Sequence, residues 1–147
     1  MLCGMTHDPF TPPDPDQMRA HRVHAALARI AERHAATEDQ RSRQVHPHVL
    51  GPHEAIRLVS LLASGTARLD ETEPEVDTAD ITAALTLIPL ARGEMDQLEA
   101  ALLLMARGRG LTWHEIAFGL GLGTSQAARQ RYARLSGRVA TDRPPAY

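Results

Sequence analysis

Apolar positions along the chain recur at steps of three and four, and no stretch alternates strictly between apolar and polar residues, so the pattern predicts an all-α protein. Met18, Val23, Leu27 and Ile30 share one broad face of a first helix. It starts beside Pro15, with Asp14 or Asp16 available as a cap, and runs to about Ala36. The stretch TEDQRSRQVHPHVLG follows as a polar connection. Gly51 and Pro52 then open a second helix in which Ile56, Leu58, Val59, Leu61 and Leu62 cover more than half the circumference, which predicts a largely buried element ended by Gly65.

Further on, Ala84, Ile88, Ala91, Met95, Leu98, Leu102 and Met105 form a seam with alternating steps of four and three. Such a seam fits another helix, either within the chain or in a second copy. Pro89 lies inside it, and its missing backbone donor predicts a kink or a division into helices at about 79–88 and 89–107, stopped by Gly108 and Gly110. Two segments lack any period. The opening MLCGMTHDPFTPPDPDQ predicts a flexible arm over 1–15, and RLDETEPEVDTAD, with its six acids from Asp70 to Asp80, predicts a solvated linker at 70–78. The expected order is therefore the arm, an N-terminal helical region at 16–69 for dimerisation or partner binding, the linker, a second helical region at 79–138 and a tail at 139–147.

The run LTWHEIAFGLGLGTSQAARQRYARL, residues 111–135, is helical in pattern but broken once by glycines. Thr112 and Glu115 have the spacing of a reciprocal cap, which sets a helix start at Trp113, and Ile116, Ala117 and Leu120 supply its inner side. Gly121 allows a left-handed turn, and Thr124 can cap a second helix. There Ala128, Tyr132 and Leu135 make a core stripe, with Gln126, Gln130 and Ala133 on the opposite side. Two short crossed helices of this kind make a helix-turn-helix. With WHEIA in its first helix and QAARQRY in its second, the run resembles bacterial helix-turn-helix proteins, notably small actinobacterial regulators, some of them labelled heat-shock regulators. The resemblance covers roughly 107–138 and implies DNA binding. Gly121 to Thr124 makes the turn one residue longer than the commonest arrangement.

Glutamine pairs with adenine edges and arginine with guanine edges in the major groove, which makes Gln126, Arg129 and Gln130 candidates for reading bases. Thr124 and Ser125, at a helix N-terminus, suit a phosphate, and Arg131, Arg134, Arg138, Arg107 and Arg109 are candidates for gripping the flanking backbone. Between Met105 and Arg138 stand six arginines and a single acid, Glu115, a local excess that the net charge of −2 conceals. One small head covers little DNA, so a homodimer with two heads about 34 Å apart is expected on double-stranded DNA. Transcriptional regulation or a nucleoid-associated role follows from this reading. Its rival is a helical adaptor whose arginine-rich helix docks an acidic partner, the chain's own 70–80 segment included.

Other chemistry finds little support. The single cysteine, Cys3, excludes an intrachain disulfide, and no apolar run is long enough to span a bilayer, so a cytoplasmic protein without membrane contact is expected. Eight histidines, among them His21 and His24 on one helical face and His46, His48 and His53 along one loop, show no recognised zinc spacing, and His34 reads as a packing residue at the edge of an apolar face. The sequence has no glycine-rich phosphate loop after a strand, no nucleophile elbow and no carboxylate pair whose placement demands chemistry, so neither catalysis nor a cofactor is expected.

Overall fold

The computed structural model describes Pro12 and residues 14–141, and among them every regular element is helical. In order these are α1 (Pro15–His34), α2 (Glu38–Arg41), α3 (Pro52–Ala63), α4 (Thr78–Gly108), α5 (Trp113–Gly119) and α6 (Ser125–Thr141). The all-α expectation holds. Most of the arm expected at 1–15, with Cys3, lies outside the described residues, as does the end of the expected tail. α6 runs through Thr141, so that tail begins as helix.

The chain divides into one compact unit ending at Ile88 and another beginning at Pro89, which moves the boundary from the acidic stretch 70–78 into α4. The reason is that α4 contributes to two separate cores: Ala83, Ala84 and Leu87 to the first, Leu103 to the second. Pro89 lies inside α4, so the expected division into two helices does not occur. Its ring deprives the Leu85 carbonyl of a donor, but both residues are exposed and water can replace the lost partner. The seam divides likewise. Ala84 and Ala91 are buried, whereas Met95, Leu98, Leu102 and Met105 are exposed rather than packed within the chain.

In the first unit, Asp14 caps α1 by accepting the Asp16 backbone N–H at 2.9 Å, and Pro15 takes a helical position that needs no donor. Ala26 and Ile30 of α1 pack with Ala55, Leu58, Val59 and Leu62 of α3 and with the start of α4. The connection after α1 is more ordered than its polarity predicts. It contains α2, held by a reciprocal Thr37–Gln40 cap, with Gln40 and Gln44 buried.

The acidic stretch is not a solvated linker either. Its Glu73 and Asp80 are buried, and each faces one ring nitrogen of the fully buried His34: Glu73 Oε1 lies 2.8 Å from Nδ1, and Asp80 Oδ2 lies 3.2 Å from Nε2. His34 is thus a polar centre of the first unit, not an edge packing residue. Arginines complete it. Arg43 donates to Glu73 through two nitrogens at 2.7 and 2.9 Å, and Arg29 and Arg33 reach Asp80 through Nε at 2.8 and 3.0 Å. Asp77 and Asp80 each donate a backbone N–H to the other's carboxylate, which fixes the start of α4. Glu73, Asp77 and Asp80 of this stretch are thus spent on α1 and Arg43 within the first unit.

Burial alone pushes the Asp80 carboxyl up, but hydrogen bonds from His34, the Asp77 backbone, Arg33 and Arg29 outweigh it and hold the group below its ordinary value. Glu73 is lowered in the same way, burial being opposed by Arg43, the Asp70 backbone and His34. A carboxylate depressed in the folded state stabilises above its unfolded pKa and stops doing so as pH falls through the folded value. Thermal melts should therefore show stability lost on acidification below about pH 4. At neutral pH, Asp80→Ala should cost about 3 kcal/mol, because it strips the buried His34 ring of a hydrogen-bond partner and the half-buried Arg29 and Arg33 of their carboxylate. An Asp80→Ala melt matching the wild type would contradict this account.

Candidate nucleic-acid interface

The second unit has a small core in which Leu103 of α4 meets Ile116 and Ala117 of α5 and Ala128 and Leu135 of α6. Ala117 and Ala128 are almost fully buried, and side chains this small let the α5 and α6 backbones approach closely. Trp113 and Tyr132 close one side, their rings tilted at 49° with centroids 5.7 Å apart.

Local chemistry fixes the bend. Thr112 and Glu115 form the expected reciprocal cap: the Thr112 hydroxyl accepts the Glu115 N–H at 3.2 Å, and the Glu115 carboxylate accepts the Thr112 N–H at 2.7 Å. That second bond leads in holding Glu115 below the ordinary carboxylate range. After α5 the chain turns through Gly121 at φ +68°, in the left-handed region, and Leu122 N–H returns to the Ala117 carbonyl at 2.8 Å. Thr124 then caps α6 by accepting the Ala127 N–H at 3.1 Å.

With Ala128 and Leu135 turned inward, one turn of helix every 3.6 residues puts Gln126, Arg129, Gln130, Ala133 and Arg134 outside, and all five are exposed. This face carries amide and guanidinium groups and no acid. Thr124 is exposed and Ser125 half-buried at its N-terminal end. The structure thus brings the three base-reading candidates together on one surface, with Arg134 at its margin.

Other expected phosphate contacts lie elsewhere. Arg131 points to α4, where Nη2 donates to Glu99 at 2.9 Å and Nε donates to the same carboxylate. The pair raises the arginine and lowers the acid. Arg138 turns the same way, its Nε 3.1 Å from Asp96. These two arginines occupy the inner flank of α6 because each lies three or four residues from Ala128 or Leu135, the spacing that places it beside the buried stripe. Their spacing to acids on α4 is the signal that inspection of one helix misses. Arg107 is a brace, its guanidinium 5.0 Å from the Trp113 ring centre and its Nη1 donating to the Leu111 carbonyl at 2.7 Å. Arg109 is exposed. A further residue escaped the sequence reading, Phe118 of α5, which is 85% exposed opposite the buried Ile116.

Among the described residues, no histidine, cysteine or acid cluster of three or more is arranged to hold a metal ion, and no helix is long and apolar enough to cross a membrane.

A Cβ at Gly121 would meet nothing within 4 Å, so alanine there costs only backbone strain. Gly121→Ala should lower the stability of the second unit by about 1 to 2 kcal/mol. Gly123→Ala, equally open but without a left-handed backbone, should change it by less than about 0.5 kcal/mol. Denaturant unfolding followed by Trp113 fluorescence measures both, and equal losses would contradict a bend fixed at Gly121. Compared with protein-family models, curated proteins and solved structures, the chain matches none.

Proposed function

We propose that this chain is a non-catalytic, sequence-preferring binder of double-stranded DNA, acting as a transcriptional regulator or nucleoid-associated factor. The observation that carries the reading is the outer face of α6, where Gln126, Arg129, Gln130 and Arg134 stand exposed together at a helix set by a capped bend. A helix fits the major groove, and these side chains match the donor and acceptor patterns of adenine and guanine edges. Gln126, Arg129 and Gln130 read bases. Arg134 and the α6 N-terminus with Thr124 and Ser125 hold phosphates. Arg131 and Arg138 keep α6 seated against α4, and specificity requires two heads.

The adaptor reading draws support from Phe118, an aromatic ring exposed beside the same bend. Salt separates the two. Anisotropy titrations of labelled random and genomic duplexes should weaken steeply as salt rises, the logarithmic slope growing by about 0.9 per phosphate contacted. Arg129→Ala should relax preference at one base position by about 1 to 3 kcal/mol, whereas Arg134→Ala should weaken all sequences alike and flatten the salt slope by about 1. Equal, sequence-blind losses from both variants would refute this division of roles, and no binding to any duplex would favour the adaptor.

A further inference from the structure

On α4, Leu103 faces the second core, and the opposite side carries an uninterrupted apolar stripe of Met95, Leu98, Ala101, Leu102 and Met105. Its large members are 50%, 58%, 63% and 50% exposed, in chain order. Steps of three, four and three make it the narrow seam of a paired coil rather than the wide face of a helix in a globular core. On the order of 400 Å² of apolar surface is open per copy, about half of what each partner contributes to a standard interface.

We infer that this stripe pairs with the same stripe of a second copy, and that the two α4 helices run antiparallel. A seam of this period is self-complementary, so an identical helix supplies matching knobs and holes. Charge selects the direction. In a parallel pair, the flanking positions bring Glu94 of one copy against Glu99 of the other, whose carboxylate Arg131 already holds, so Glu94 meets no free cation there. In an antiparallel pair with Leu98 facing Leu102 and Met95 facing Met105, Glu94 comes to the level of the last α4 turn of the other copy. Exposed Arg109 follows that turn. Symmetry makes this contact twice, and opposed helix dipoles favour the same arrangement. The pairing deepens the two-headed DNA reading by naming the face that joins the heads, but it forms without DNA.

Sedimentation equilibrium of the full chain without DNA, over about 1 to 200 μM, should show a monomer–dimer equilibrium. Leu98→Glu with Leu102→Glu should raise the dissociation constant at least about tenfold while helical circular dichroism is unchanged, since both positions are exposed. Glu94→Arg should also weaken the dimer, and adding Arg109→Glu should restore it. For direction, Cys3→Ser chains carrying Leu98→Cys should form disulfides with chains carrying Leu102→Cys in preference to their own kind. A monomer at every concentration, or a dimer unaffected by the glutamates, would overturn the pairing. Preferential Leu98→Cys self-linkage would overturn its direction. DNA titration judges the reading head separately, so either conclusion can fail without the other.

Discussion

The second unit depends on two small helices burying one side each against the other while joined by only a few residues. Ile116 and Ala117 have to meet Ala128 and Leu135, and the chain can do this only by reversing sharply between them. The left-handed Gly121 supplies the reversal, and caps at Thr112 and Thr124 replace the hydrogen bonds that two closely spaced helix ends would otherwise lose. Once the inner stripe is fixed, helical geometry decides what faces outward. Gln126, Arg129 and Gln130 are displayed together because Ala128 and Leu135 are buried, and the proposed function rests on that consequence.

Electrostatics divides the labour between the units. In the first, Asp77, Asp80 and Glu73 engage Arg29, Arg33 and Arg43 around His34, so the acidic stretch serves as internal cement. In the second, acids are sparse, and two of them, Asp96 and Glu99, sit on α4 and hold Arg138 and Arg131. What remains unpaired by these contacts is the outer face of α6. The overall charge of −2 is therefore a poor guide to the field near the reading head.

Elements governed by local rules were legible in the sequence. The Asp14–Pro15 start, the Thr112–Glu115 cap, the Gly121 turn and the inner and outer sides of α6 each depend on residues within a turn or two of one another. Elements governed by distant contacts were not. His34 and Asp80 are 46 residues apart, and a run of acids looks solvated until its arginine partners on α1 are placed beside it. Arg131 reads as one more basic residue until Glu99, 32 positions earlier, is seen to hold it. The unit boundary escaped notice because α4 serves two cores through one uninterrupted apolar period, and Pro89 is tolerated where the lost bond faces water.

Glutamine offers a direct test, because the sequence has no asparagine and its six glutamines are the only side-chain carboxamides. Nuclear magnetic resonance of those groups during titration with a duplex that binds separates the reading face from the rest of the chain. The account predicts that the Gln126 and Gln130 signals move as binding saturates, while those of Gln40 and Gln44, buried in the first unit, stay in place. Saturated binding with Gln126 and Gln130 unmoved would contradict it.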